Sequence, residues 1–425
     1  MFEDREFGGS ASAALKVSLR EAWEEFEQRL HADSFSLGLR PDLPMATGWI
    51  VQESHGGVRR PVVCAQNGRW LVYKPRNLAI DRCWNTLVDW YASALGTLIS
   101  RSYGIWSRPS YGWTEGVVWA GCQTPEEIEA YYWRLGALAA LVWALGGCDA
   151  SASNIVAAGP LPTLVDAEMM LTPANEIYDS DLMSEFRSGG ILPVCTTDRR
   201  GVCIAIGAAA LSSYACRHGS LASDCDYCHH LPRIAGRRFA LEGQEKRLID
   251  GFEQGLITIS RARRFLSGAA SPIRAFGMAR VRVSFRPTVV YNAISALSDS
   301  VMRVIGAGAD LEALLVKLPT RVSLSPGAHQ HLIRSEAASL QFGDVPRYEL
   351  AGHARYLSLG SGRIQFQHAP LNRACKRVIG LRGRRVRTVV EAWSQAVFAA
   401  TSTIASESCV DSPCANSSFL TNSSD

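Results

Sequence analysis

The chain has 425 residues, 47% hydrophobic and 20% charged, with 44 basic and 40 acidic side chains for a formal net charge of +4. That length suits two or three domains with a large core, and the balance excludes a mostly disordered or fibrous chain. So small a charge surplus over this length does not argue for nucleic acid. The opening Met1-Phe-Glu-Asp-Arg-Glu6 is acidic and has no apolar stretch, so it is no signal peptide. No uncharged run, the apolar Leu135 to Cys148 included, reaches the roughly 20 residues of a transmembrane segment. Twelve scattered cysteines read as reduced thiols, and the chain as a soluble cytoplasmic protein.

Leu15, Leu19, Trp23, Phe26 and Leu30 recur every third or fourth position, with Arg20, Glu24, Glu25 and Glu27 elsewhere. This predicts a helix docked by one stripe. Residues 61–76 read as a hairpin: Val62-Val63 precede Asn67-Gly68, a favoured two-residue turn, and Trp70, Val72 and Tyr73 follow before Pro75. Lys74 ends the second strand, where a lysine is ordinarily a solvated edge residue. Residues 83–100 and 124–147 read as helices, the second apolar all round from Ala137 to Leu145 and therefore interior. It stops at Gly146-Gly147 and delivers Asp149 and Asn154 into a loop. Ile155-Val-Ala157 and Thr163-Leu-Val165 flank Gly159-Pro160 as a second hairpin ending at Asp166. Residues 195–237 mix Cys, Gly, His and Arg and read as a long irregular excursion. Helices are expected at 241–267, 289–305, 309–317 and 386–400. The last 25 residues, with eight Ser, three Thr and two Cys, read as a disordered tail. No internal repeat is evident.

Lys74 at a strand end, Asp149 and Asn154 on one loop and Asp166 after a short hairpin are the ordered parts of kinase-type phosphoryl transfer. There a lysine neutralises phosphates, a loop aspartate takes the hydroxyl proton, and an asparagine with a second aspartate holds Mg²⁺. Glu168 is either a further metal ligand or an ordinary polar residue. Spacing alone stops at a kinase-like phosphotransferase.

Further motifs surround this set: Val72-Tyr-Lys-Pro-Arg76, Tyr111-Gly-Trp-x-Glu115, Tyr131-Tyr-x-Arg134-x-Gly136 and Leu164-Val-Asp-x-Glu168. After them come Gly190-Ile-Leu-Pro193, Gly251-Phe252, Arg282-Val-Ser-Phe-Arg-Pro-Thr288 with Tyr291, and Gly343-Asp-Val-Pro346. Upstream stands Glu27-Gln-Arg-Leu-x-x-Asp33. In this order they resemble the dehydratase domain of class II lanthipeptide synthetases, over roughly residues 15 to 400. The resemblance implies an α+β fold with a lipid-kinase-like bilobal catalytic core and additional helical elements. It divides the chain into an N-terminal helical segment (1–50), the kinase-like core (51–180), an activation and elimination region with a helical part (181–400) and the tail (401–425).

It also implies ATP and Mg²⁺ as cofactors and a ribosomal precursor peptide, leader and core, as partner. Ser and Thr are phosphorylated and the phosphate is then eliminated to dehydroalanine or dehydrobutyrine. By position, Asp149 is catalytic, Lys74 and Glu115 bind the nucleotide, and Asn154, Asp166 and Glu168 hold the metal. Arg282 and Thr288 match elimination positions, an arginine fork and a hydroxyl suited to a departing phosphate. Glu53 and His55 stand where the family has Asp-x-His, with Glu53 replacing the aspartate. Arg286 is either a helper or a structural arginine.

Ser151 departs from the family, which has histidine two residues after the catalytic aspartate. The sequence shows neither the family's segment before the first helix nor the zinc arrangement of its cyclase domain. The expectation from this is a stand-alone dehydratase domain, with ring closure spontaneous or left to a separate cyclase. A kinase that does not eliminate and a degenerate pseudoenzyme that binds precursor peptide or a partner synthetase are the alternatives. Cys216, His218, Cys225, Cys228, His229 and His230 offer enough ligands for a tetrahedral zinc. Free thiols in a variable loop are the plainer reading there. Ser408-Cys409, Ser412-Pro-Cys414 and Ser417-Ser418 resemble a lanthipeptide core, and a linker remnant is again plainer.

Overall fold

The computed structural model describes residues 13–407 apart from 41, 51–53, 174–181, 193, 198–202, 207–228, 289, 295–310, 323 and 361. Helix α1 (Ala13–Asp33) docks by the expected stripe, with Leu19 and Phe26 buried and Trp23 and Leu30 half-buried. Phe26 reaches the rings of Tyr73 and Trp113 at 5.3 and 6.0 Å. This pins α1 to an antiparallel sheet of β1 (Ala46–Trp49), β2 (Val62–Gln66), β3 (Arg69–Lys74), β4 (Ile105–Ser107) and β5 (Gly112–Glu115), in the order β1-β2-β3-β5-β4. The β2–β3 turn is the two-residue one expected, because Asn67 (φ 51°) and Gly68 (φ 72°) both take the left-handed backbone it needs. Lys74, however, is no edge residue. Its strand lies between β2 and β5, it pairs with Gly112, and it is 8% exposed.

Helix α2 (Ala79–Leu95) lies ahead of its expected span, ending on Gly96 in the left-handed region (φ 74°) rather than at 100, whereas α3 (Pro125–Leu145) stands where the sequence placed it and is buried on all sides from Leu135 to Leu145. The second hairpin is β6 (Ile155–Ala158) with β7 (Leu161–Leu164). Helix α4 (Leu182–Gly189) follows. The supposed excursion at 195–237 contains two short hairpins, β8 (Val194–Thr197) with β9 (Cys203–Ile206) and β10 (Arg233–Ile234) with β11 (Arg237–Arg238). Their strands of two to four residues are too short to show alternation. The cysteines and histidine Cys216, His218, Cys225 and Cys228 lie outside the described residues, as do Ser408 to Asp425. His230 is buried, its carbonyl accepting from the Tyr131 hydroxyl at 2.6 Å.

Helix α5 (Glu245–Arg261) crosses α3 along a seam of glycines. A methyl group at Gly136 would collide with the Leu248 carbonyl, one at Gly251 with the Trp133 carbonyl, and one at Gly255 with the Tyr91 hydroxyl. Glycine here lets two backbones touch, which accounts for Gly136 and Gly251 among the sequence motifs.

The remaining part carries elements that patterning did not reveal. Strand β12 (Arg280–Val283) pairs with β13 (Tyr348–Ala351), and β14 (Tyr356–Leu359) with β15 (Gly362–Gln365). Helix α6 (Pro326–Gln341) buries only Leu332, Ile333, Glu336, Ala337 and Leu340 among several His and Ser residues, so its stripe is faint. Its readable sign was Ser325 before Pro326, the side chain capping Ala328 N–H. At the centre of this part Arg286 and Glu336 are both fully buried, with Nε 3.1 Å from each carboxylate oxygen. The guanidinium also donates to the carbonyls of Leu315, Leu318 and Pro319. Arg286 is thus a structural arginine and no helper in elimination. Helices α7 (Pro370–Gly380) and α8 (Gly383–Glu407) close the structure. The latter runs beyond the expected end at 400, through Thr401 to Glu407, into the segment read as tail. Ala- and Thr-containing turns there continue the helix, with the Thr401 hydroxyl bonded to Val397 O at 3.3 Å. The architecture is α+β. No helix among the described residues is long and apolar enough to cross a membrane.

The glycine seam sets a prediction. Gly251→Ala should cost about 1–3 kcal/mol or more through overpacking, read as a lower urea midpoint. Gly327→Ala, exposed on α6 with nothing near its Cβ position, should leave stability unchanged or raise it by up to about 1 kcal/mol.

Candidate active site

A cavity of about 1050 Å³ opens where β3, the end of α3, the β6–β7 hairpin and β12–β13 meet. Eight Lys and Arg side chains and three carboxylates line it, a surplus of positive charge suited to a multiply charged anion. Lys74, Asp149, Asn154, Asp166, Glu168, Arg282, Thr288 and His55 all reach its wall. Glu115 does not. It lies on β5, with a carboxylate oxygen 3.2 Å from the Gly104 N–H. Glu53 lies outside the described residues.

The Asp149 loop is shaped by backbone contacts. Helix α3 ends on Gly146 in the left-handed region (φ 69°), and Asp149 itself takes φ 65°, which aspartate tolerates better than most side chains. Cys148 N–H donates to Met169 O and Ala150 N–H to Gly189 O, both at 2.9 Å. Gly190 packs on this loop so closely that a side chain there would press on Ala150 and Ser151, which explains the glycine of the Gly190–Pro193 motif. Asn154 Nδ2 donates to the Asp149 carbonyl (2.9 Å) and carboxylate (3.1 Å). The Ser151 hydroxyl donates to the other Asp149 oxygen at 3.1 Å. Burial, then the charges of Glu168 and Asp166, push the Asp149 carboxyl up to about 6.

The β6–β7 hairpin brings Asp166 to Lys74, whose ammonium donates to Val165 O at 2.7 Å and to Asp166 at 3.1 Å. Arg76 bonds the same aspartate at 2.6 Å, Asp81 at 2.6 and 3.0 Å, and Glu168 at 3.2 Å. Arg282 and Arg347 reach Glu168 at 2.5 and 2.8 Å. Burial would raise the Glu168 carboxyl, but Arg347, Arg282 and Arg76 hold it well below the ordinary carboxylate range. Glu168 is therefore the hub of three guanidiniums. Arg76, Asp81 and Arg347 were not singled out from the sequence. The only sign of the first was its place in Tyr73-Lys-Pro-Arg76, and that of the last its position after Pro346.

His55 sits on a loop tied down by residues nearly 290 positions away. Its Nδ1 is 2.7 Å from Val345 O. A carbonyl only accepts, so Nδ1 carries the proton and Nε2 is the acceptor. The buried Asp344 carboxylate takes the N–H groups of Gly57 (2.6 Å) and Val58 (3.0 Å). That grip holds Val58 at φ 56°, an unfavourable conformation for a β-branched residue. Burial, then Arg282 and Arg347, lower His55 from 6.5 to about 4.

The family model described as a domain of unknown function (DUF4135) matches residues 19–214 and 217–351, a span that takes in the site from His55 to Arg347. A lacticin 481/lactococcin biosynthesis protein, LcnDR2, from Lactococcus lactis subsp. lactis, is 24% identical over 172 residues, 36% of this chain and 18% of that protein.

His55 generates a pH prediction. Between about 4 and 6.5 the unfolded chain binds a proton that the folded chain refuses, so stability should fall as pH drops through that window. His55→Gln should remove this component, at most about 3 kcal/mol, from the pH dependence of the urea midpoint.

Proposed function

The chain belongs to the family described as a domain of unknown function (DUF4135), and on that footing we propose that it is a lanthipeptide dehydratase with a lipid-kinase-like core. It phosphorylates Ser and Thr of a precursor peptide with ATP and Mg²⁺, then eliminates the phosphate. The observation that carries this reading is that Lys74, Asp149, Asn154, Asp166, Arg282 and Thr288, from well-separated segments, line one cavity rich in positive charge. The name of the lacticin 481/lactococcin relative supports the substrate class.

The donors fit the cofactors. The Asn154 amide and the Asp166 carboxylate are the oxygen ligands a hard divalent cation takes. Among the described residues no cluster of three His, Cys, Asp or Glu side chains is gathered for a metal, and Glu168 is committed to arginines. Asn154 and Asp166, the latter giving up part of its bonding to Lys74 and Arg76, would hold Mg²⁺ and Lys74 the phosphates, with ATP supplying the phosphoryl group. Asp149, ionised at neutral pH yet more basic than an ordinary carboxylate, orients the peptide hydroxyl and takes its proton. In the second step the His55 Nε2 accepts the α-proton while Arg282 and Thr288 hold the departing phosphate.

A second reading, a homologue that grips precursor peptide without turning it over, draws on Ser151 standing in the family's histidine position with its hydroxyl spent on Asp149.

Mass spectrometry of a Ser/Thr-containing precursor after incubation with ATP and Mg²⁺ decides between them. The dehydratase should yield successive losses of water. Asp149→Asn should slow modification by about 10²–10⁴-fold, and Thr288→Ala should accumulate phosphopeptide. An unmodified peptide that still binds the wild-type chain would overturn the enzyme reading in favour of the second.

A further inference from the structure

The segment from Gly343 to Arg347 does three things at once. Asp344 clamps the loop of His55, Val345 O receives the His55 Nδ1–H, and Arg347 enters the cavity wall. The first two actions orient a proton acceptor. The third puts a second guanidinium beside that of Arg282.

The sheet dictates this proximity. Arg282 on β12 is the register partner of Glu349 on β13, so the two side chains share a face. Arg347 lies two residues before Glu349 and therefore on the same side, where its Nε donates to the Glu349 carboxylate at 2.8 Å. Both arginines then converge on Glu168, at 2.5 Å through Arg282 Nη1 and 2.8 Å through Arg347 Nη2. Their side chains are 11% and 17% exposed, so the charges are largely removed from water while still reaching the cavity. Glu168 occupies the point where the two guanidiniums converge, and the planar donors that hold its carboxylate are the kind that hold a phosphate oxygen, which would share or displace it.

We infer that Arg347 is a further phosphate-binding residue, forming with Arg282 a two-arginine fork that receives the phosphate of the phosphorylated Ser or Thr. The inference rests on the dehydratase reading for its reaction. In that reaction the α C–H bond breaks, its proton passes to a base, and its electron pair forms the Cα=Cβ bond. The Cβ–O bond breaks, and inorganic phosphate leaves with that bond's electron pair. The phosphate ester is largely a dianion at neutral pH and takes on further negative charge as the Cβ–O bond breaks, and two planar guanidiniums match that charge and its oxygen geometry better than one. Burial is the main cause that keeps His55 below its ordinary range, and a phosphate seated there would offset the smaller part that Arg282 and Arg347 contribute, so the base strengthens when substrate is bound.

Two measurements on the full chain test this. In the first, inorganic phosphate is titrated calorimetrically into the wild type, Arg347→Met and Arg347→Lys. Arg347→Met should weaken binding about tenfold or more, and Arg347→Lys, which keeps the charge and loses the fork, should fall between. In the second, a synthetic phosphoserine precursor is supplied without ATP. Arg347→Met should slow phosphate release about 10²-fold, a larger loss than it causes in ATP-dependent phosphorylation of the unmodified peptide. Wild-type phosphate affinity in both variants would overturn the fork, and so would wild-type elimination in both. Should the Met variant not fold, the Lys variant carries the test. A wild type that binds phosphate through Arg347 yet eliminates nothing would refute the dehydratase reading and leave the anion site standing.

Discussion

Everything in the cavity depends on one buried carboxylate. Glu168 follows the β6–β7 hairpin and is held by Arg76 from the end of β3, Arg282 from β12 and Arg347 from the approach to β13. Those arginines belong to separate parts of the structure, so the network joins the five-stranded sheet, the hairpin and the β12–β13 part at one point. Charges this deep are costly unless paired, and each arginine removed would leave its partners uncompensated. The network therefore fixes the relative placement of the parts as well as the charge of the cavity.

The same economy recurs around the Asp149 loop. Its backbone is shaped by hydrogen bonds to the chain beyond the β6–β7 hairpin and to the end of α4, and by the close approach of Gly190. Asn154 and Ser151 then use their side chains to hold the Asp149 carboxylate. A buried helix end, a glycine and two short polar side chains are enough to present one acid at a defined angle. Burial and two nearby carboxylates make that acid more basic than its exposed counterparts.

A single cavity also divides into two electrostatic faces. Lys74, Asp149, Asn154 and Asp166 form a mixed face, with oxygen donors beside an ammonium, an arrangement that suits the proposed phosphoryl transfer. His55, Arg282 and Arg347 form a face with a neutral imidazole and guanidiniums, suited to taking a proton while accepting an anion. Glu168 accepts from arginines of both faces and offsets part of the second face's positive charge. The loop of His55 is bent against its preference, and Asp344 holds that bend. Such strain persists where a site needs a side chain in one place.

The sequence by itself determined the elements whose information is local. The stripe of α1, the Asn67-Gly68 turn, the all-round apolar α3 and the two early hairpins are written in spacing and turn chemistry, and they carry Lys74, Asp149, Asn154 and Asp166 to adjacent positions. Strands β12 to β15 and α6 were not singled out: Arg280-Val-Arg-Val283 does alternate, but strands of four residues give a short signal, and β12 finds its partner β13 only about 70 positions further on. Arg286 looked as fit for the cavity as Arg282, four residues away. Only the tertiary structure sent one to Glu168 and buried the other against Glu336. Likewise Arg76, Asp344 and Arg347 acquire their parts through carboxylates and backbone groups 90 to nearly 290 positions distant. Electrostatic partnership depends on distance in space, which spacing along the chain does not encode.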